Sequence, residues 1–346
     1  MKKVFFALFC SLVVIVYFSS QYFKSAEPLK GGVAVTTSMH RGAGFFCELR
    51  KVIENIIHYE PEGMRSHYVD WTDEFFPFKD EPRGNGWDLY FEPIVCQKFG
   101  AVGNEPVRSV GNCWVHELHD QVCVAPWVAY DEYLPFRLNV HDIINKYIVI
   151  KPHIRKFVDS FYEQHMKGCL CVGVHVRYAT IHGAETPQGH PSLDTYCNEV
   201  NNLLNQYHDR NIKIYLASDS HVVIDYFKKI YNDKLVYIDT YRARGSEDPG
   251  LIYEGGGYWM SHPAEWHKAK PGYRGGFGAL VDCLLLSKCD YFIHITSNLA
   301  YFVTFFNPHI KSIYLPRTVP FACCRYQGHE NIRNKFLNPI AGGISI

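Results

Sequence analysis

The sequence predicts an α/β protein built on parallel sheets. Three observations carry this. Apolar strand-like runs alternate with helical patterns through the second half, polar residues follow the strands directly, and a strand, glycine loop and helix open the globular part near residue 33. The 346 residues exceed what one hydrophobic core usually organises, so two domains of about 150 residues after a leader are expected.

Composition narrows the function classes. A hydrophobic fraction of 47% with 20% charged residues excludes a disordered chain. A mean hydropathy of -0.15 excludes a polytopic membrane protein. Lys+Arg 35 against Asp+Glu 35 gives no net charge, which excludes a protein held to nucleic acid by phosphate neutralisation but leaves room for a local basic pocket. The 18 His, 24 Tyr and 6 Trp suit either carbohydrate and nucleotide binding or core packing.

The leader comes first. Lys2 and Lys3 precede an almost uninterrupted apolar run from Val4 to Phe18 that can extend to Phe23. Phe18 and Lys24 occupy the third-last places before the small residues Ser20 and Ala26, so cleavage sites are poor. The expectation is an uncleaved signal anchor over 1–23 and a linker over 24–32, with a cleaved signal peptide as the rival. The positive flank then predicts a single-pass type II membrane protein, lumenal in the Golgi or secretory pathway if the source is eukaryotic. Some of the 12 cysteines are expected to form disulfides there, with Cys113 and Cys123 as the one pairing guess.

Val33 to Thr37 reads as a buried strand, and Phe45, Leu49, Val52, Ile53 and Ile56 mark the helix after it. Between them Arg41, Gly42 and Gly44 form either a phosphate or sugar loop or a plain turn. Residues 59–130 read as loop-rich and aromatic, with Trp71, Trp87, Tyr90 and Trp114 as sugar platforms or core. Helices follow around Val140 to Tyr147 and Ile154 to His165, and the first, acceptor-side domain ends near residue 150.

The second domain, 151–330, is more regular. Strands are predicted at Cys169 to Val176, Ile212 to Ala217, Leu235 to Ile238 and Asp290 to Ile295. Helices are predicted behind Ser192, over His221 to Tyr231, through Phe277 to Leu285, and from Asn298 to Phe306, with a tail at 331–346. Ligands of such sheets bind beyond the carboxyl ends of the strands. The candidates are therefore His175 and Arg177, then Ser218, Asp219 and Ser220, then Thr296, Ser297 and Asn298. A cation, an imidazole, a carboxylate, hydroxyls and a helix N-terminus fit a nucleoside diphosphate. His175 is otherwise a core residue.

At these residues the chain resembles glycosyltransferase family 23, the α1,6-fucosyltransferase and nodulation fucosyltransferase group. Gly173-Val174-His175-Val176-Arg177 with Glu185, His190, Pro191 and Tyr196 resembles its first motif. Tyr215 to Ser220 resembles the second, and Asp282 to Ser287 through Asp290 to Ile293 and Thr296 to Asn298 the third. The resemblance covers about the second half of the chain.

It implies a GT-B-like fold of two Rossmann-like domains, a GDP-fucose donor, a glycan acceptor, inversion at the anomeric carbon and no metal or other cofactor. It also implies that Arg177 holds the pyrophosphate, that His175 and Asp282 face the guanine, and that Ser297, with Asn298 beside it, bonds a phosphate oxygen. Asp219 organises the site and Glu185 is the general base. The family's second arginine and its Asp-Lys pair are replaced by Tyr178, Thr180 and Ile181, so two cations are missing; Arg41, Arg274 and His182 are the substitutes the sequence offers. The alternatives are a transferase of another nucleotide sugar and a membrane-tethered glycan- or nucleotide-binding protein without catalysis. An exported hydrolase is more remote, since no Gly-x-Ser-x-Gly elbow is present.

Overall fold

Two parallel sheets organise the chain, and the second carries the sequence-predicted site. The computed structural model describes residues 33–39, 44–74, 76–94, 108–110, 133–178, 191–242 and 271–316. The expected anchor, Arg41, Gly42, Trp114, the Cys113 and Cys123 pair, Thr180, Ile181, His182 and Glu185 lie outside these residues. Among the described residues no helix is long and apolar enough to cross a membrane.

The first sheet centres on β1 (Val33–Ser38), flanked by β2 (Met64–Asp70) and β3 (Arg108–Val110). Both neighbours run parallel to it, with Val35 opposite His67 on one side and Val110 on the other. Helix α1 (Phe45–Tyr59) crosses from β1 to β2 and buries Leu49, Val52, Ile53 and Ile56, the stripe visible in the sequence.

The described part of the segment after β2 is loop-rich, with one short helical turn over Gly86–Leu89, but its aromatic side chains form a core. Trp71, Phe76, Trp87, Tyr90 and Phe91 are buried and meet mostly edge to face or tilted. Trp71, Trp87 and Tyr90 are therefore core residues rather than sugar platforms. Two polar side chains hold the backbone around them. Asn85 accepts from the Trp71 and Trp87 amides and donates to the Val69 carbonyl, while buried Lys79 donates to the carbonyls of Thr72, Pro82 and Gly84.

Helices α2 (Leu134–Tyr147) and α3 (Pro152–His165) lead into the second sheet. Its strands are β4 (Leu170–Val176), β5 (Ile212–Ser218), β6 (Leu235–Val236), β7 (Tyr291–His294) and β8 (Lys311–Tyr314), in the order β6-β5-β4-β7-β8 and all parallel. Helices α4 (Leu193–Gln206) and α5 (His221–Tyr231) cover one face. Helices α6 (Gly272–Leu286) and α7 (Asn298–Phe306) cover the other. Central β4 is buried at every residue, as its unbroken apolar run requires of a strand covered on both faces.

The face under α6 and α7 does not stop at the sheet. Its cluster continues through Phe302 and Phe46 into α1 and the aromatic core of the first half. Helix α6 also packs closely through its glycines. A Cβ on Gly276 would overlap the Tyr90 hydroxyl and lie 2.9 Å from Phe78 Cβ, and one on Gly278 would overlap Thr240. The Tyr90 hydroxyl donates to the Phe78 carbonyl and approaches the Tyr273 carbonyl, while Asp80 accepts from the Tyr273 amide at 3.0 Å.

The expected disulfides are not found among the described cysteines. Cys169, Cys171, Cys197, Cys283 and Cys289 carry thiols. Several lie inside strands and helices, where a small apolar side chain packs without a bridge.

Candidate nucleotide-binding site

The alternation of a strand decides which side chains share a face. Cys171 and Gly173 point toward α6, Gly173 closely enough that a Cβ would crowd Leu286 and Cys289, so His175 and Arg177 continue the same side. Tyr215 and Ala217 do likewise on β5, and Asp219 follows. The predicted residues thus converge at the C-terminal edge of the sheet through strand geometry alone.

Arg177 and Asp219 form an ion pair, Nη1 to Oδ2 at 3.1 Å, with both side chains partly exposed. The other carboxylate oxygen of Asp219 accepts from the Tyr178 amide at 2.9 Å. One carboxylate therefore fixes both the guanidinium and the backbone that carries it. Tyr178 itself is 40% exposed and brings no charge where the family carries its second arginine.

His175 is buried, with Nδ1 at 3.4 Å from Ser297 Oγ. Burial, then the charge of Arg177 and the neighbouring His294, pulls its pKa down to about 3. At neutral pH it is an uncharged imidazole with one donor and one acceptor. Ser297 caps α7, its hydroxyl accepting from the Ala300 amide at 3.0 Å. The first turn of that helix thus presents backbone N–H groups beside His175, an arrangement suited to an anion. Asn298 accepts from Arg50 Nη1 at 3.2 Å, and Arg50 pairs with Glu54 at 3.1 Å. A cation of the first half therefore reaches the cap of a second-half helix.

Asp282 lies deeper. Its Oδ1 accepts from the Tyr215 hydroxyl at 2.6 Å. Burial pushes its pKa up to about 6 against the opposing pull of Arg242 and of the Tyr215 hydrogen bond. Arg242 is buried and donates from Nε to the Ser218 carbonyl at 3.0 Å and from Nη1 to the Ile238 carbonyl at 2.8 Å.

Of the expected residues, His175, Arg177, Asp219, Ser297 and Asn298 come together, with Asp282 on the same face of the sheet. Gly44 begins α1 with an ordinary extended backbone, and a Cβ there would meet nothing within 4 Å. Arg274 does not compensate for the missing cations; it pairs with Asp239 at 2.9 Å on the surface. Sequence reasoning missed Arg50 and Arg242. Arg50 is a charged residue inside the apolar stripe between Leu49 and Val52, and Arg242 follows the end of a strand, but neither position encodes what the side chain meets once the chain packs. Among the described residues no three His, Cys, Asp or Glu side chains form a cluster able to hold a metal.

Residues 136–325 match the family model described as nodulation protein Z (NodZ). The chain is 23% identical over 274 residues to nodulation protein Z of Sinorhizobium fredii, covering 67% of this chain and 78% of that protein. It is 26% identical over 176 residues to nodulation protein Z of Azorhizobium caulinodans, covering 49% of this chain and 46% of the relative, so that match spans about half the relative's length. The structure of selenomethionine fucosyltransferase NodZ from Bradyrhizobium is similar with a TM-score of 0.50 at 17% identity, over 83% of this chain and 96% of that one. The fold is shared.

These relatives overturn one expectation. A single-pass type II protein facing a Golgi or secretory lumen does not fit, because both relatives are bacterial proteins and that compartment is eukaryotic. With the family model spanning more than half of its length and the strand-end cluster inside that span, the chain belongs to the nodulation protein Z (NodZ) family.

Proposed function

We propose that the protein is a glycosyltransferase that moves fucose from GDP-fucose to a hydroxyl of a glycan acceptor, with inversion and without a metal, on a GT-B-like scaffold. The observation that carries this reading is the cluster of Arg177, Asp219, His175 and Ser297 at the C-terminal edge of a parallel sheet. In this reading 151–330 holds the donor and 33–150 faces the acceptor.

Arg177 and the N–H groups of the first turn of α7 hold the pyrophosphate, with Ser297 and Asn298 on a phosphate oxygen. Asp219 positions Arg177. Asp282 and neutral His175 face the guanine. The acceptor oxygen forms its bond to the anomeric carbon as the bond to the phosphate oxygen breaks; Glu185 takes the hydroxyl proton, and GDP leaves with its charge on Arg177 and the helix terminus. Arg41, Gly42 and Gly44 are further candidates for a phosphate or sugar contact. The cation and the helix N-terminus supply the charge stabilisation that a chelated metal supplies elsewhere, which supports the metal-free scheme.

GDP-fucose turnover by the purified protein in excess EDTA tests it. Unchanged turnover is expected, whereas loss restored by manganese overturns the metal-free scheme. Tyr178 in the place of a cation favours a second reading, a nucleotide-binding protein without transfer; GDP binding with no turnover on any acceptor would select it. Turnover of another nucleotide sugar in preference to GDP-fucose would change the donor.

A pH dependence follows from Asp282. Its carboxyl is neutral below about 6 and ionised above, and the ionised form accepts from the guanine N1–H and 2-amino groups. GDP affinity should rise roughly tenfold between pH 5 and 7.5, and Asp282→Asn should remove that part of the rise. A wild-type profile identical to that of the Asn variant would dismiss the carboxylate from the base site. Folding shows the opposite sign. A carboxyl raised above its unfolded value binds more protons in the folded state, so its contribution to stability is lost as pH rises from 3.8 toward about 6.

A further inference from the structure

Arg242 is built like a side chain waiting for an acceptor. The family motifs do not include it, and it lies just past β6. Two of its nitrogens are spent on the carbonyls of Ser218 and Ile238. The third, Nη2, is buried and has no hydrogen-bond partner among the described residues, although the residue is only 5% exposed. An unmade hydrogen bond on a buried charged donor is costly, so such groups in native proteins call for a partner.

Its place in the fold indicates which partner. Arg242 is anchored to the end of β5 and the segment after β6, while Ser297 and the first turn of α7 follow β7. With β4 between β5 and β7, the two ends of the site are two strand spacings apart, roughly 10 Å. That distance separates the base of a nucleotide from its phosphates. Asp282 and Tyr215, on the Arg242 side, share one buried hydrogen bond, and the Arg242 charge acts on both. A carboxylate acceptor next to a guanidinium donor matches one edge of guanine, whose N1–H and 2-amino group donate and whose O6 accepts. Adenine presents an amino group at that last position and would set donor against donor.

We infer that Arg242 reads the guanine O6 through its Nη2 and, with Asp282, selects a guanine nucleotide over an adenine one. This rests on the donor reading proposed above. The side chain is a specificity residue, distinct from the phosphate cation Arg177.

Titration calorimetry with GDP, IDP and 6-thio-GDP separates the possibilities. IDP lacks only the 2-amino group that Asp282 would accept, and 6-thio-GDP keeps both donors while replacing O6 by a weakly accepting sulfur. Wild type should bind GDP about tenfold or more tighter than 6-thio-GDP, the size of one charge-assisted hydrogen bond. Arg242→Met should abolish that ratio and leave the GDP-to-IDP ratio unchanged. Equal wild-type affinities for GDP and 6-thio-GDP would overturn the assignment. So would an equal loss for all three nucleotides in the variant, which would mark Arg242 as a phosphate cation or a fold element. If Arg242→Met does not fold, Arg242→Lys, which keeps the charge without the planar fork, replaces it, and the wild-type ratio decides independently. Wild type that binds none of the three would overturn the donor reading itself.

Discussion

Arg177→Ala is expected to lower fucose transfer by about 10²–10³, roughly 3–4 kcal/mol, and to weaken GDP binding with it. Two effects add. The cation facing the pyrophosphate is lost, and the Asp219 carboxylate, which the guanidinium meets at 3.1 Å, then faces the phosphates without it. The second effect distinguishes this site from a generic basic patch. Arg177→Ala with Asp219→Asn should bind GDP more tightly than Arg177→Ala alone, because the repulsive carboxylate is gone while the amide still accepts from the Tyr178 N–H. Calorimetry on the four proteins of this cycle measures it. Unchanged GDP affinity in Arg177→Ala would remove the residue from its role, and a double variant weaker than the single one would show that Asp219 does more than position its partner.

The second large effect is on stability. Gly276→Ala should destabilise the fold by about 1–3 kcal/mol despite the better helix propensity of alanine, because the new methyl overlaps the Tyr90 hydroxyl and crowds Phe78. Neither can retreat easily: Tyr90 is buried, and its hydroxyl is committed to the Phe78 carbonyl. The damage should fall where α6 meets the first half, so urea denaturation with Trp fluorescence is the appropriate probe. Gly44→Ala is the steric control, since a Cβ there meets nothing within 4 Å; it should lose only the N-cap preference of glycine over alanine, about 0.5 kcal/mol. A Gly276→Ala midpoint equal to that of the control would contradict the close packing of α6.

These effects bear on what the sequence made legible. The helices His221–Tyr231 and Asn298–Phe306 match their sequence-predicted bounds, since each starts at a serine cap, the first carrying one apolar face and the second being apolar nearly all round. The strands of the second sheet were readable because fully buried parallel strands are unbroken apolar runs. Strand β2 was not: in Met64-Arg65-Ser66-His67-Tyr68-Val69-Asp70 three polar residues run together before Tyr68 and Val69, so the alternation that marks a strand is missing until β1 pairs with it. Strand β8 is a four-residue edge strand with only Ile313 and Tyr314 to mark it. Within the site, residues placed by strand periodicity were legible, including the convergence of His175 with Ser297. Arg50 and Arg242 were not, because their positions depend on how helix α1 and the segment after β6 pack, and spacing along the chain does not encode that. The type II reading failed for another reason: a short apolar leader looks the same in many targeting contexts.

The thiols beneath the second sheet have a practical consequence. Burial pushes the Cys171 pKa up to about 12 and raises Cys283 and Cys289 well above the usual thiol range. The thiolate is the form that attacks alkylating agents, so these three sulfurs are silent while the β4, α6 and β7 layer stays closed. Each modification event then requires that layer to part, and the labelling rate under a fixed reagent becomes a clock for its opening.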